Sequence, residues 1–351
     1  MYIDAWISMV VFTISTVSFY FMGAAVLHLV EEVARIHGYD KIPEDAAVPM
    51  CPSHRTDADR VQGKVRDVLT AAGFDEALTA SVVSEPWTKA FSPWTDAKPL
   101  KSYTPTLKGA DRLRLSLIPS LLDVRRTNES VSNPVIEFFE TAKVYLPSDQ
   151  ELPIEQHTLG IASGGDYSSV KGVVEVLVTA LNPACDVEVR ETKQPLLDAD
   201  RSCELRVDGE LLGFLGEVTP AALKSFKLRA PTTIAELSME ALAAIANLNP
   251  QHSPQSAFPA MSRDLNLIVD EPLRWAELAS TVRESGGDLL EEVTYQDVYR
   301  DTQRDGVGKK RLLFSITLRS SETTLTNEQA DEIRDTIVAA CGKQHAATLL
   351  A

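Results

Sequence analysis

The chain has 351 residues, 44% of them hydrophobic and 24% charged, with a formal net charge of −16. That length and apolar content support two or three domains with real cores, and the acidic balance excludes a surface that attracts nucleic acid everywhere, because phosphates are repelled. Cys51, Cys185, Cys203 and Cys341 form no CxxC pair and the histidines show no HxxxH or HExxH spacing, so neither a disulfide framework nor a zinc site is expected, and a reducing cytoplasm fits.

From Ala5 to Leu27 no residue is charged, a run of the length that spans a bilayer as a helix. Trp6 and Tyr20 stand where interface aromatics would. Asp4 replaces the basic region of a signal peptide. The other reading of the run is a buried helix of a soluble core. The next segment predicts an amphipathic helix with Leu29, Val33 and Ile36 on one face, ended by Gly38, with Pro43 preventing resumption. Pro49, Pro52 and Ser53 make a linker. A helix is predicted over 56–72, stopped by Gly73, then a strand over 78–83 and a polar, Pro-rich loop over 86–106. A helix over 117–128 and a strand over 135–146, closed by Pro147, follow.

Residues 157–165 read as a strand and a turn, and 171–181 as a helix closed by Asn182-Pro183. Residues 201–218 read as a hairpin turning on Asp208-Gly209. Pro220 opens a short helix, 234–245 gives a strand and a helix, and 249–258 is a polar, Pro-bearing linker. Beyond it come a strand at 263–270, a helix at 275–287, strands at 289–300 and 309–320, a helix at 327–344 capped by Thr326 or Asn327, and a strand at 347–350. The order βαββαβ is the split βαβ or ferredoxin-like motif.

Signatures of nucleotide, nucleophile or metalloenzyme sites are missing from the sequence: GxGxxG, GxxxxGK[ST], GxSxG and HExxH do not occur. Ser163-Gly164-Gly165 reads as a plain turn. Glu31 and Glu32 are a notable carboxylate pair, but adjacent residues on a helix point about 100° apart, which favours a solvated helix face. Lys309, Lys310 and Arg311, with Arg300, Arg304 and Arg319, crowd a hairpin in the last section, with Tyr295, Tyr299 and Phe314 as possible stacking faces. Asp297, Asp301 and Asp305 lie among them, so a solvated hairpin is the competing reading.

Several strings in order resemble one family. Residues 29–43 (LVEEVARIHGYDKIP), 113–128 (LRLSLIPSLLDVRRTN), 138–145 (FFETAKVY), 171–177, 211–223, 258–271, 289–300 and 325–340 are similar to landmarks of bacterial phenylalanyl-tRNA synthetase beta subunits. The resemblance implies an α+β chain. It would have a remnant of the B5 domain at 29–48, a degenerate class II synthetase core of antiparallel sheet and helices at 50–245, and a ferredoxin-fold anticodon-binding domain at 257–351. It implies a non-catalytic, cytoplasmic subunit that supports ATP-dependent attachment of phenylalanine to its tRNA. The active site would lie on an alpha subunit, in an assembly of two alpha and two beta chains.

Arg263, Tyr295, Tyr299, Lys309, Lys310, Arg311 and Arg319 are then the expected tRNA-binding residues. Glu31 and Glu32 would contribute to a magnesium site shared with the alpha subunit, although Met22 and His28 stand at the two other ligand positions. Phe138 stands where the ATP-clamping arginine of class II chemistry would be. The first 28 residues instead resemble a transmembrane helix of Nramp-type metal-ion transporters. That leaves a second reading, a membrane-tethered protein that is no ligase and uses the fold as an interaction module.

Overall fold

The computed structural model describes residues 26, 28–42, 54–105, 107–149, 152–252 and 256–350. The chain divides into two compact units, Met1–Leu248 and Asn249–Ala351. The uncharged run at 5–27 lies outside the described residues except for Val26, and so does the linker at 49–53. Among the described residues no helix is long and apolar enough to cross a membrane.

Residues 28–37 are helical (α1). Gly38 follows at φ 100°, a conformation that glycine adopts without strain. The predicted apolar stripe, Leu29, Val33 and Ile36, is exposed. Helix α2 (Asp57–Ala71) starts at a capping box in which Thr56 and Asp59 satisfy each other's backbone, and it buries Val61, Val65 and Leu69, four residues apart. Strands β1 (Asp75–Glu76) and β2 (Val82–Val83) follow. The strand predicted over 78–83 shrinks to its last two residues because Thr79 gives both its N–H and its hydroxyl to Glu140, at 3.1 and 2.7 Å. The loop predicted over 86–106 opens with helix α3 (Glu85–Ala90), with Pro86 in its first turn. A proline there gives up an N–H that has no helical partner anyway.

Strand β3 (Arg112–Leu113), helix α4 (Ile118–Ser130) and strands β4 (Phe138–Leu146) and β5 (Ile154–Ser163) come next. Helix α5 (Tyr167–Leu181) starts four residues before the predicted 171, because the Asp166 carboxylate accepts the Ser169 N–H at 2.8 Å and caps it. Strand β6 (Glu188–Glu191) is short, exposed and was not expected. Strands β7 (Leu197–Val207) and β8 (Glu210–Val218) turn on Asp208 and Gly209 at φ 51° and 78°, both positive as a type I′ turn requires. Helix α6 (Pro220–Phe226), strand β9 (Thr233–Ser238) and helix α7 (Met239–Ile245) complete the unit.

Its sheet runs β1-β4-β5-β9-β8-β7-β6, antiparallel except for β1 with β4. Residues of α2, α5 and α7 (Val65, Leu69, Val174, Leu177, Leu242) pack on one face with Phe139, Leu159 and Leu237. On the other, Leu117, Leu121 and Leu122 of the β3–α4 segment pack with Phe91, Val144 and Ile234. A Cβ at Gly160 would lie 2.9 Å from Leu117 and Leu121 side-chain atoms, so the bare backbone of β5 lets α4 seat.

The second unit contains β10 (Met261–Asp270), α8 (Trp275–Gly286), β11 (Leu290–Tyr299), β12 (Lys309–Leu318), α9 (Asn327–His345) and β13 (Thr348–Leu349). The antiparallel order β11-β12-β10-β13 is that of the predicted βαββαβ unit. Leu265, Leu267 and Val269 of β10 and Leu312, Phe314, Ile316 and Leu318 of β12 alternate toward Leu278 and Val282 of α8 and Ile337 and Cys341 of α9. The intervening residues form the opposite face. The chain is thus mixed α+β, as expected.

Candidate functional site

One row of residues crosses the large sheet in register: Glu140 on β4, Gly160 on β5, Glu236 on β9 and Phe214 on β8. Both carboxylates are buried. Glu140 Oε1 accepts from Arg114 Nη1 at 3.2 Å, and Arg114 also donates to Thr79 Oγ1 at 2.9 Å and to Lys143 O at 2.9 Å. Glu236 accepts the Ser116 hydroxyl and the Leu117 N–H, each at 2.7 Å. Burial drives the Glu236 carboxyl up to about 7, against the Leu117 and Ser116 hydrogen bonds, which favour its charged form.

The string LRLSLIP therefore makes physical sense. Arg114 and Ser116, two apart in an extended stretch, reach the two carboxylates that flank the glycine on which α4 sits. The indole N–H of Trp94 faces the Glu236 carboxylate and favours its charged form, and its ring meets Phe214 edge-on, with centroids 5.3 Å apart. Phe138 packs against this apolar face. The residues that make the network were not singled out from sequence. The alternation of Arg114 and Ser116 before a helix was the available signal.

The Ser163-Gly164-Gly165 turn spends its amides internally: Gly164 N–H goes to Glu137 Oε1 and Gly165 N–H to Ser163 Oγ, both at 2.9 Å.

In the second unit every cation of the predicted site has a partner within the chain. Lys309 pairs with Asp270 at 2.7 Å, and Lys310 donates to the Glu271 carbonyl at 2.7 Å. Arg311 holds Asp305 through two bonds of 2.6 and 2.8 Å. Arg319 pairs with Glu291 at 2.8 Å, and Arg300 with Glu271 at 2.7 Å. Arg263 ties β10 to α9 through Asp331 at 2.9 Å and Asn327 at 3.0 Å.

The expected grouping around one hairpin also dissolves. Lys309 begins β12, whereas Arg319 follows its last residue, about a strand's length of 30 Å away. Tyr295 and Tyr299 lie on opposite faces. Tyr295 pairs with buried Phe314 and meets Trp275 edge-on at 5.3 Å, while Tyr299 pairs with Arg311, whose guanidinium sits 5.6 Å from its ring centroid. Residues four apart share a face of a regular strand, but a register shift between Tyr295 and Asp297 reverses the alternation. Phe314 is buried in the core and offers no stacking surface.

On α1, Glu32 pairs with Arg35, and Glu31 lies 3.9 Å from His28. Among the described residues no group of three or more His, Cys, Asp or Glu could hold a metal ion. Both carboxylates are exposed on α1, so any shared site would lie at the surface of this chain. Met22 lies outside the described residues.

Comparisons with known proteins agree with this architecture. Residues 42–239 match the model of the phenylalanyl tRNA synthetase beta chain CLM domain, and residues 256–350 that of the ferredoxin-fold anticodon binding domain. The phenylalanine–tRNA ligase beta subunit of Rhodopirellula baltica is 42% identical over 333 residues, covering 92% of this chain and 49% of that protein. The beta subunit of Shouchella clausii is 32% identical over 341 residues, covering 92% of this chain and 42% of that protein. The chain thus spans about half the length of the curated relatives it matches, or less. A pyrrolysyl-tRNA synthetase from Desulfitobacterium hafniense superposes with a TM-score of 0.44 and 14% identity over 63% of this chain and 78% of that one, too distant to carry an argument. The chain belongs to the phenylalanyl-tRNA synthetase beta-chain family and matches its CLM domain and the ferredoxin-fold anticodon binding domain.

Proposed function

We propose that the chain is a non-catalytic, RNA-binding part of a phenylalanine–tRNA ligase, acting beside an alpha subunit that holds the active site. The carrying observation is the row Glu140–Gly160–Glu236, where both carboxylates are bound by the chain's own Arg114, Thr79, Ser116 and Leu117. A ligase site needs fixed cations aimed at ATP phosphates. Here the buried arginine of the row is committed to a carboxylate, and Phe138 stands at the clamp position. On this reading residues 50–245 form a degenerate class II core, 29–48 are a remnant of the B5 domain and 257–351 recognise the tRNA. The cytoplasm is its place. Magnesium and ATP belong to the assembled ligase.

Within 257–351, Lys309, Arg319 and Tyr299 are the proposed tRNA contacts that can change partner. Arg263, Lys310, Arg311 and Tyr295 support the fold around them. The membrane-tethered alternative gains nothing from the described residues, since none forms a spanning helix. Co-expression with the alpha subunit of the same genome tests the reading. Co-purification of the two chains is expected. A chain that stays alone, although folded, contradicts it.

A further inference from the structure

Lysines outnumber carboxylates between α3 and β3. Lys98, Lys101 and Lys108 stand there against Asp96 and Asp111, in a chain of net charge −16. Among the described residues, 98–105 and 107–112 form a short antiparallel arm. Ser102 N–H donates to Asp111 O at 2.8 Å, Leu113 N–H donates to Leu100 O at 3.0 Å, and Lys101 bridges to Arg112. The root is fixed, because β3 pairs with β2 and the next side chain but one, Arg114, is buried on Glu140. The tip is open. Tyr103 is fully exposed, Leu107 is half exposed, and Gly109 turns the chain at φ 81°. Arg112 is held by Asp111 at 2.7 Å and Glu85 at 3.2 Å. Lys101 shares Asp111 at 3.7 Å and keeps 64% of its side chain exposed. Lys98 and Lys108 are exposed and have no ion-pair partner among the described residues.

We propose that this arm is an RNA contact of its own, separate from residues 257–351, in which Tyr103 stacks on an unpaired base and Lys98, Lys101 and Lys108 meet backbone phosphates. The inference rests on the reading of the chain as tRNA-binding and adds a place to it. Exposed aromatic rings with nearby cations are the ordinary means of holding single-stranded RNA, since every base has a π-face. An acidic body repels phosphate elsewhere, so a projecting basic arm sets where a polyanion approaches. The cations also argue against a protein partner, because lysine is depleted where proteins bury surface against each other.

The test is an electrophoretic shift of the full chain with a phenylalanine tRNA transcript at two salt concentrations. Lys98→Ala with Lys108→Ala should weaken binding about tenfold at the lower salt and reduce the salt slope by about 1.4, since each single-strand phosphate contributes about 0.7. Tyr103→Ala should weaken it roughly 5- to 150-fold, and Tyr103→Phe should stay within about twofold of the parent. These side chains are exposed, so the melting temperature should not move and a folding defect cannot imitate the result. Parent-like affinity and slope in both alanine variants overturn the proposal. So does normal RNA binding with loss of the alpha subunit on co-purification, which makes the arm a protein contact. If the parent binds no tRNA at either salt, the tRNA-binding reading falls and takes the arm with it. If the parent binds and the variants match it, only the arm falls.

Discussion

Charged residues are paired in both units, but the pairs differ in what they can become. Arg114 and Glu140 meet at 3.2 Å with 3% and 1% of their side chains exposed. Lys309 and Asp270 meet at 2.7 Å with 34% and 57% exposed. Water screens the second pair, and such pairs contribute about 0–1 kcal/mol. Its lysine can leave an aspartate for a phosphate at little cost. The first pair cannot open without stranding a desolvated charge. Arg311 stands nearer the buried kind, since it is 11% exposed and its partner Asp305 is 2% exposed. A cation dense in sequence is therefore not yet a cation available to RNA. Exposure and partner decide, and by that measure Lys309 and Arg319 are candidates whereas Arg311 is framework.

The buried pair should show the largest effect. Glu140→Ala should destabilise the first unit by about 3–5 kcal/mol, the cost of leaving a buried partner charge unpaired. Denaturant unfolding measures it, and a loss below about 1 kcal/mol would make that pair equivalent to a surface one.

Glu236 sharpens the same point through pH. Its carboxyl is raised from an ordinary 4.5 to about 7. The folded state therefore holds a proton that the unfolded state gives up between those values. This stabilisation is complete below about 4.5 and is lost as pH rises through about 7. It is worth on the order of 3 kcal/mol. Glu236→Gln should flatten unfolding free energy against pH in that window. An unchanged slope would remove Glu236 as its source.

Arg311→Ala should cost about 2 kcal/mol or more by stranding Asp305, and it should lower tRNA binding only through that damage. Lys309→Ala should change stability by less than about 1 kcal/mol while lowering the salt slope of tRNA binding. Reversed behaviour, a stability loss at Lys309 and none at Arg311, would invert the ranking by exposure.

Much of this architecture was legible in the sequence because it is locally encoded. Asp208-Gly209 names its own turn, Thr56 and Thr326 cap their helices through side chains three residues from their targets, and apolar alternation marks β10 and β12. What stayed hidden depends on register. Asp270 and Glu271, which hold Lys309, Lys310 and Arg300, lie some thirty to forty residues earlier and meet them only when β10 pairs with β12. One irregular residue in β11 sends Tyr295 and Tyr299 to opposite faces. Glu140 and Glu236 become neighbours in one row only after three strands align. Pro86 sits at the start of the expected loop over 86–106 but falls in the first turn of a helix.

On the proposed reading, the first unit's carboxylates and arginine hold the fold together and ligation falls to a partner chain. Phenylalanine-dependent exchange of pyrophosphate into ATP by the purified chain alone tests it most directly. No exchange above background is expected at any magnesium concentration. Exchange that requires phenylalanine and disappears in a folded Arg114 or Glu140 variant would contradict it.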